Sequence, residues 1–295
     1  MDEEIIAKYR KVGGIASNVR EWSRKLVKPG AKAFDIAEEI EARILDKAEI
    51  AFPLNISIND IAAHYSPEYK DELELKEGDL VTIDLGAHLD GYIADTAYTI
   101  DLGNDNGDLI KASQEGLKAA IETIEPGIKT SEIGRAVNNT ITSFGFKPIS
   151  NLTGHQLEKY DLHAGLAIPN VEMAHEETVP DGVAVAIEPF ATPGSGMVVE
   201  SKDAYIYSFL RKTPTRFREG KKLLEDVEKR QRLPFAERWF GKGMNKIKLQ
   251  MVFRELVQRN ALRAYPVLHE KERALVSQTE HTVLLVGGEK IVTTE

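Results

Sequence analysis

Apolar residues recur along the chain with two different spacings, and each spacing predicts one kind of element. A helical period of three to four residues runs through 3–27, 35–46, 108–124, 131–144 and much of 211–263. Strand-like patterns are found at 80–87, 92–100, 164–168, 183–189, 203–210, 274–286 and 290–294. Helical and strand-like regions therefore alternate, without a low-complexity tract or a short tandem repeat.

The segment 211–263 differs from the rest of the chain by its density of charged residues. It contains the helical runs RFREGKKLLEDVEKRQRLPFAERWF and MNKIKLQMVFRELVQRNALRA, and strand-like sequence resumes near residue 274. Because the sheet-type pattern before the segment continues after it, we interpret the segment as a helical module inserted into a larger domain.

The stretch VTIDLGAHLDGYIADTAYTI (81–100) predicts a β-hairpin that turns at its DG dipeptide. If the turn has two residues, Asp84 lies opposite Ala97. Asp95 is then on the same face as Asp84, about 7 to 8 Å away along the diagonal. One interpretation is that both aspartates are solvated on an exposed face of the sheet.

The apolar neighbours of these aspartates favour a second interpretation, in which the hairpin is buried on at least one face. These neighbours are Ile83, Leu85, Ile93 and Ala94. Two buried carboxylates so close together repel each other, and one stays protonated unless cations neutralise them. A divalent metal ion that neutralises both carboxylates is the simplest explanation for the pair.

Further metal ligands are then expected downstream. His155 follows a glycine in LTGHQL, Glu188 ends an apolar strand in VAIEPFA, and Glu280 begins another in SQTEHTVLLV. Taken singly, each is explained more simply as a surface or hydrogen-bonded residue. Together with the aspartates they form a set of carboxylates and one imidazole without sulfur, which suits manganese, iron, cobalt or zinc.

Composition and charge narrow the class of protein. The chain of 295 residues has a net charge of -9, which argues against general nucleic-acid binding, and it has no cysteine for disulfides or thiolate zinc sites. Its opening MDEEIIAKYRK is charged, and no apolar run approaches the roughly 18 residues of a membrane span. We therefore expect a soluble cytoplasmic protein, and nothing demands more than a monomer.

Five motifs in this order resemble the type II methionine aminopeptidases in their short archaeal form: NISINDIAAHYSP, IDLGAHLDGYIADTA, LTGHQLEKYDLHAG, AIEPFAT and EHTVLL. The resemblance covers nearly the whole chain. It implies the pita-bread fold, in which two related α+β halves enclose a two-metal site. It also implies a catalytic domain of residues 1–196 and 274–295, with residues 197–273 as an inserted, winged-helix-like helical subdomain.

The resemblance also implies a role for each site residue. The metal ligands are Asp84, Asp95, His155, Glu188 and Glu280. In this pattern Asp95 and Glu280 bridge two divalent ions that hold a bridging hydroxide, and Glu188 also shuttles the proton. The activity implied is removal of the initiator methionine from nascent proteins whose second residue is small.

Substrate contacts follow from the same resemblance. His64 and His163 face the substrate, and His64 is the residue that the epoxide of fumagillin-type inhibitors attacks. The methionine side chain is expected to lie against Phe52, Leu162, Phe190 and Tyr265. Thr279 departs from the bulkier apolar residue common in relatives, which affects packing beside Glu280 and not the ligand itself.

The remaining histidines are interpreted without a catalytic role. His88 and His281 are expected to make hydrogen bonds beside the site. His175 and His269 are expected at the surface.

Two alternatives to this activity stay open at this point. A prolidase or aminopeptidase P shares the five ligands, although such enzymes usually carry an additional N-terminal domain, for which the roughly 50 residues before Phe52 leave no room. A non-catalytic binding protein of the proliferation-associated type shares the fold, but loss of metal ligands would mark it, and all five are present.

A local excess of positive charge suggests a partner. Residues 211–232 contain nine Lys or Arg and four Asp or Glu. A solvated helix face is the simpler interpretation, and docking near the ribosomal exit through RNA phosphate is the functional hypothesis.

Overall fold

The computed structural model describes residues 1–103, 105–174 and 177–295. Its first elements are two helices and four strands: α1 (Glu3–Ser23), α2 (Ala33–Leu45), β1 (Glu49–Ile58), β2 (Ile61–Ala63), β3 (Leu80–Leu89) and β4 (Tyr92–Asp101). Strands β1, β3 and β4 form an antiparallel three-stranded sheet in that order. α1 packs an apolar face that includes Val12, Ala16 and Val19 against this sheet, and α2 packs on β1.

The β3–β4 hairpin has the predicted register. Asp84 pairs with Ala97, and Asp95 pairs with Gly86. Asp90 and Gly91 both have positive φ, 52° and 89°, as a two-residue type I′ turn requires. The expected placement of Asp84 and Asp95 on one face of the sheet is therefore confirmed.

Two helices and five short strands follow: α3 (Gly107–Thr123), α4 (Thr130–Ser143), β5 (Lys147–Pro148), β6 (Thr153–Leu157), β7 (Ala167–Pro169), β8 (Val183–Ile187) and β9 (Phe190–Thr192). α3 and α4 pack against each other over an apolar cluster that includes Leu117, Val137, Ile141 and Val185. α4 begins at Thr130 with Glu132 in its first turn, where a carboxylate favours the helix dipole.

Residues 198–270 form two long strands with two helices and a short strand between them: β10 (Val198–Phe209), α5 (Arg218–Val227), β11 (Phe235–Ala236), α6 (Lys246–Gln258) and β12 (Leu262–Glu270). β10 and β12 pair antiparallel, β11 joins the free edge of β10, and β2 joins the free edge of β12. The helices cover an apolar cluster that includes Phe235, Phe253 and Leu256.

This region is joined to the start of the chain by buried arginines. The Arg238 side chain, which is fully buried, pairs with the carboxylate of Glu41 and donates to Ser66 Oγ at 2.9 Å. Arg230 donates to the carbonyl oxygen of Ile50 at 2.8 Å. Since a buried charge needs a partner, these contacts fix residues 198–270 against α2 and β1.

Three strands complete the chain: β13 (Ser277–Gln278), β14 (His281–Val286) and β15 (Glu289–Val292). One sheet has the order β15-β14-β8-β6-β7, and another has the order β13-β9-β5. An isolated antiparallel bridge between Ala97 and Glu280 joins the β3–β4 hairpin to the start of β14. Two sets of strands with helices outside them thus meet where the predicted ligands lie, and the expected α+β class is confirmed.

Candidate metal centre

Asp84 and Asp95 are held on rigid neighbouring strands. The backbone N–H of Asp95 donates to Thr282 Oγ1 at 2.8 Å, and the Thr282 hydroxyl donates to the Asp95 carbonyl oxygen at 2.8 Å. The Glu280 N–H donates to the carbonyl oxygen of Ala97 at 3.1 Å. The hairpin and β14 are thereby clamped together, so the side chains of Asp84, Asp95 and Glu280 converge.

His155 and Glu188 reach the same place from the second set of strands. His155 lies in β6, and Glu188 follows β8 directly. His155 Nε2 is 3.5 Å from Glu188 Oε1 and 3.8 Å from Asp95 Oδ2. Ligand atoms of Asp95, His155 and Glu280 all lie within 4.8 Å of one another. All five predicted ligands line one cavity of about 70 Å³.

Burial makes the ionised form of these carboxyls costly without a cation. Burial raises the pKa of Asp84 to about 7. Burial, followed by the charge of neighbouring carboxylates, raises the pKa of Asp95, Glu188 and Glu280 well above the usual range. Asp95 and Glu280 are only 3% and 1% exposed. Four buried carboxyls are thus close enough to suppress one another's ionisation.

The donor atoms fit divalent metal. Asp84 Oδ1, Asp95 Oδ1 and Glu280 Oε2 are buried without a hydrogen-bond partner in the described part of the chain. Burial, and after it the neighbouring His163, lowers the pKa of His155 well below its usual value, so its imidazole is in the neutral form that binds metal. Unsatisfied carboxylate oxygens beside a neutral imidazole are the ligand set of a hard or borderline divalent ion.

His64 is held in one orientation by its backbone and its ring. Its φ of 67° lies in the left-handed region, and its N–H donates to Asn55 Oδ1 at 2.9 Å. Its Nδ1 is 3.1 Å from the carbonyl oxygen of Pro266, which can only accept, so Nδ1 carries the proton and Nε2 is an acceptor. Burial lowers the pKa of His64 to about 4, so the ring is neutral.

His163 lies beside His155, with 4.4 Å between the two ring centres. Desolvation, and after it the positive charge of Arg263, lowers the pKa of His163. Tyr265 lies near both histidines, with its ring centre 5.6 Å from that of His64 and 6.4 Å from that of His163.

An apolar wall completes the cavity. Phe52, Leu162 and Tyr265 line it, as the sequence predicts, and Ile206 and Pro234 from the region between β10 and β12 join them. Gly86 packs directly behind Phe52: a Cβ at this position would lie 2.1 Å from the Phe52 ring, so any larger residue would displace the ring.

Phe190 is not among the described residues that line this cavity. It is 1% exposed and packs in a separate cluster with Ile149, Val198 and Val276. The backbone turns after Glu188, so the glutamate faces the cavity while Phe190 enters β9 and the core.

Three residues beside the ligands carried no prediction. Asn55 positions the backbone of His64, Thr282 positions that of Asp95, and Gln278 Nε2 donates to Glu188 Oε2 at 3.1 Å. Asn55 lies within the motif NISINDIAAHYSP, and Gln278 lies just before the motif EHTVLL. Their position as polar residues in or next to these motifs is the sequence feature that could have indicated them.

Thr279 fits its position by a polar contact. Its hydroxyl is 3.0 Å from Ser113 Oγ, which is itself 2.9 Å from Ser277 Oγ. The hydroxyl of this small residue is therefore satisfied beside Glu280.

The other histidines have local partners. His88 accepts the N–H of Gly91 at 3.2 Å, within the hairpin turn. His281 Nδ1 is 2.9 Å from Thr294 Oγ1. His269 is paired with Asp60 at 2.8 Å, whereas His175 lies outside the described residues.

The model of metallopeptidase family M24 matches residues 7–208. The chain belongs to metallopeptidase family M24. The methionine aminopeptidase of Methanocaldococcus jannaschii is 45% identical over 297 residues, with 100% of this chain and 100% of that protein covered. That of Pyrococcus abyssi is 44% identical over 293 residues, with 98% and 99% covered. The expected membership of the methionine aminopeptidases, which are metal-dependent hydrolases, is confirmed.

Solved structures agree on the fold. A thermophilic Arx1 has a TM-score of 0.86 at 20% identity, covering 99% of this chain and 91% of that chain. The methionine aminopeptidase of Thermotoga maritima has a TM-score of 0.73 at 21% identity, covering 100% and 98%. The prolidase of Pyrococcus horikoshii has a TM-score of 0.64 at 18% identity, covering 100% and 62%. The expected pita-bread fold is confirmed.

Among the described residues, none of the helices combines the length and apolar character needed to cross a membrane.

Proposed function

We propose that this chain removes the N-terminal methionine from nascent proteins whose second residue is small, at a site that holds two divalent ions. The observation that carries the proposal is the convergence of four carboxylates and His155 on one cavity, beside two neutral histidines and an apolar wall. Relatives that align over their full length and are named methionine aminopeptidase support it.

Two metal positions are proposed, with cobalt, manganese, iron or zinc as candidates. Asp95 and Glu280 would contribute to holding both ions, Asp84 would help to hold one of them, and His155 with Glu188 would help to hold the other. When bound, such a pair would activate a water molecule at neutral pH and polarise the scissile carbonyl.

Glu188 is the proposed proton shuttle. Gln278 engages its Oε2 and leaves Oε1 on the side of His155. A carboxylate so placed can take the proton of the attacking water and deliver it to the leaving amine. A C–O bond to the water oxygen forms as the C–N bond of the amide breaks, and the proton that Glu188 takes up leaves with the amine.

The two histidines are proposed to act on opposite ends of the scissile amide. His64 presents an unprotonated Nε2, since Nδ1 faces the carbonyl oxygen of Pro266, and can accept the N–H of the amide. His163 can donate to the carbonyl oxygen as negative charge develops on it. The ring of Tyr265 packs against both histidines.

Selection of methionine would come from the apolar wall of Phe52, Leu162 and Tyr265, extended by Ile206 and Pro234. The cavity is small, with a volume of about 70 Å³. A methionine side chain takes most of that space, so a small second residue is expected. Residues 197–273, proposed as the inserted subdomain, supply part of this wall.

Peptide selectivity tests the activity. The metal-loaded protein is expected to release methionine from Met-Ala-Ser and to cleave neither Met-Pro nor other Xaa-Pro peptides at comparable rates. Preferential cleavage of proline-linked bonds would support the prolidase alternative, and no cleavage of any peptide would support a non-catalytic protein. The cytoplasmic location and the monomeric state of the protein stay predictions.

Docking to ribosomal RNA is proposed for the start of α5. Arg216, Arg218, Lys221 and Lys222 are exposed there, with 72% of the Arg216 side chain accessible. Arg216 Nε lies 3.7 Å from Glu255 Oε1, and other cations of 211–232 are also paired within the protein, including Lys212 with Glu228 at 2.6 Å. These four exposed residues are therefore the part of the segment best able to meet RNA phosphate.

Co-sedimentation with ribosomes at low salt tests the docking proposal. Charge reversal of Arg216, Arg218, Lys221 and Lys222 is expected to abolish it. A matched reversal of Arg10, Lys11, Lys25 and Lys28, which are exposed near α1, is the control. Equal co-sedimentation of both variants would exclude the α5 site.

A further inference from the structure

A larger cavity opens beside the metal cavity. It measures about 740 Å³ and shares Leu162, His163 and Tyr265 with the smaller cavity. Because the larger cavity adjoins the smaller metal cavity, it is the path we assign to the substrate residues that follow the second one, and we call it the substrate groove. This step rests on the proposed function.

Charged residues of both signs line the substrate groove: Glu158, Asp161, Glu228, Lys159, Arg232 and Arg263. The carboxylate of Asp161 accepts a hydrogen bond from Arg232 at 2.6 Å. Glu228 is paired with Lys212 at 2.6 Å. Two of the three acidic residues and one of the three basic residues that line the groove are therefore paired within the protein.

Glu158 and Lys159 contact other residues of the protein. Glu158 accepts a hydrogen bond from Gln156 Nε2 at 2.8 Å. Lys159 Nζ lies 5.5 Å from the centre of the Tyr92 ring and 6.0 Å from that of Tyr160. Lys159 is therefore directed toward the hairpin and not toward the shared wall of the two cavities.

Arg263 remains as the cation nearest the scissile bond. Its guanidinium carbon lies 5.3 Å from the centre of the Tyr265 ring, and within the described ranges of the chain no carboxylate pairs with it. Arg263 and Tyr265 are two residues apart in β12, so they share a face of the strand. The positive charge of Arg263 also contributes to the lowered pKa of His64 and His163.

The ring contacts set the substrate position that Arg263 can reach. Steps of 5.3 Å from Arg263 to Tyr265 and 5.6 Å from Tyr265 to His64 put the guanidinium at most about 11 Å from the His64 ring. An extended chain advances about 3.3 to 3.6 Å per residue. If the first peptide bond lies at the histidines, Arg263 is level with the third or fourth residue.

We propose that Arg263 is a specificity-determining residue that favours substrates with Asp or Glu at the third or fourth position. A planar guanidinium stacked on an aromatic ring is pre-organised, so little side-chain entropy is lost when it pairs with a carboxylate. The preference is an interaction of the substrate chain with the enzyme surface and leaves the metal ligands untouched.

Amidated tetrapeptides test the assignment. The series Met-Ala-Xaa-Ser and Met-Ala-Ser-Xaa, with Xaa as Glu, Gln or Lys, is assayed for kcat/KM with metal-loaded protein at low ionic strength. We expect Glu to exceed Gln by about three- to fivefold at one of the two positions, and Lys to fall below Gln by a similar factor, as for a partly exposed ion pair. Salt at about 0.5 M is expected to bring these ratios near one.

Variants assign the preference to one side chain. Arg263→Gln is expected to bring the Glu to Lys ratio near one, Arg263→Glu to invert it, and Arg263→Lys to retain part of it. Lys11→Gln removes the same charge from an exposed position in α1 and is expected to keep the wild-type ratio.

Two outcomes separate this proposal from the activity itself. If the metal-loaded wild-type protein cleaves all peptides at equal rates, or if Arg263→Gln keeps the preference, the Arg263 assignment is wrong and the activity stands. If no peptide is cleaved, including the neutral Gln peptide, both proposals are wrong.

Discussion

Asp84 and Asp95 lie on one face of the β3–β4 hairpin, Asp84 opposite Ala97 and Asp95 opposite Gly86. This diagonal arrangement places two carboxyl groups side by side in the protein interior, where Glu188 and Glu280 join them. Four buried acids are a source of instability that divalent cations can remove.

Metal-free protein is expected to lose stability as pH rises. Burial raises the pKa of Asp84 to about 7, while unfolded Asp titrates near about 4. The folded state therefore holds more protons, so this contribution to stability is complete below about pH 4 and is lost as pH rises through about 7. The melting temperature should fall from pH 6 to pH 8, by about 2 to 4 °C for each 1 kcal/mol lost from the free energy of unfolding.

Saturating manganese or cobalt is the control for that titration. Because bound cations favour the ionised carboxylates, the metal-loaded protein should melt higher, and its advantage over the metal-free protein should grow with pH. A metal-free protein whose melting temperature is flat or rises between pH 6 and pH 8 would contradict the electrostatic account.

Glu188→Gln is expected to retain the fold and lower kcat by about 10²- to 10⁴-fold, because the amide cannot take a proton from water. The side chain keeps its size, and Gln278 beside it can still form a hydrogen bond. Circular dichroism and steady-state rates on Met-Ala-Ser measure the two effects. Full turnover in this variant would remove Glu188 from the proton transfer.

His64→Ala and His163→Ala are each expected to lower kcat/KM by roughly ten- to a thousandfold. Metal content should hardly change, because neither residue is a proposed ligand. Only the His64 variant should resist labelling by a fumagillin-type epoxide, since Nε2 of His64 is the unprotonated nitrogen that faces the site. An adduct located on His163 by mass spectrometry would reverse these roles.

Phe52 and Phe190 are expected to respond differently to truncation. Phe190→Ala removes a core side chain and should lower the free energy of unfolding by about 3 to 5 kcal/mol. Phe52→Ala should in addition raise KM for methionine peptides, because Phe52 lines the cavity. The test compares the KM values of the two variants at a temperature where both are folded. An equal rise of KM in both variants would place Phe190 in the substrate pocket.

The hairpin was predictable from the sequence because a single turn fixes the register in which its two strands pair. The DG dipeptide adopts the positive φ values that it favours, and every later pairing follows from that register. Strand β1 carried no prediction, because Pro53 and two irregularities in its pairing with β3 interrupt the alternation of polar and apolar residues.

Contacts between distant segments were not predictable in the same way. Ile206 and Pro234 reach the cavity only because β10 and β11 pair and because arginines anchor this region to α2 and β1. The motif AIEPFAT suggested the cavity for both Glu188 and Phe190, yet only Pro189 separates a proposed ligand from a core side chain. Sequence motifs thus indicated the proposed ligands that line one cavity, whereas side-chain direction after them depended on tertiary packing.

Metal titration with activity measured on the same samples tests the central claim most directly. Protein stripped of metal is expected to release no methionine from Met-Ala-Ser, and added manganese or cobalt should restore release as up to two ions bind per chain. Asp95→Asn should bind less metal and recover little activity at the same metal concentration. Methionine release that is unchanged by metal removal, or full activity in Asp95→Asn, would contradict the account.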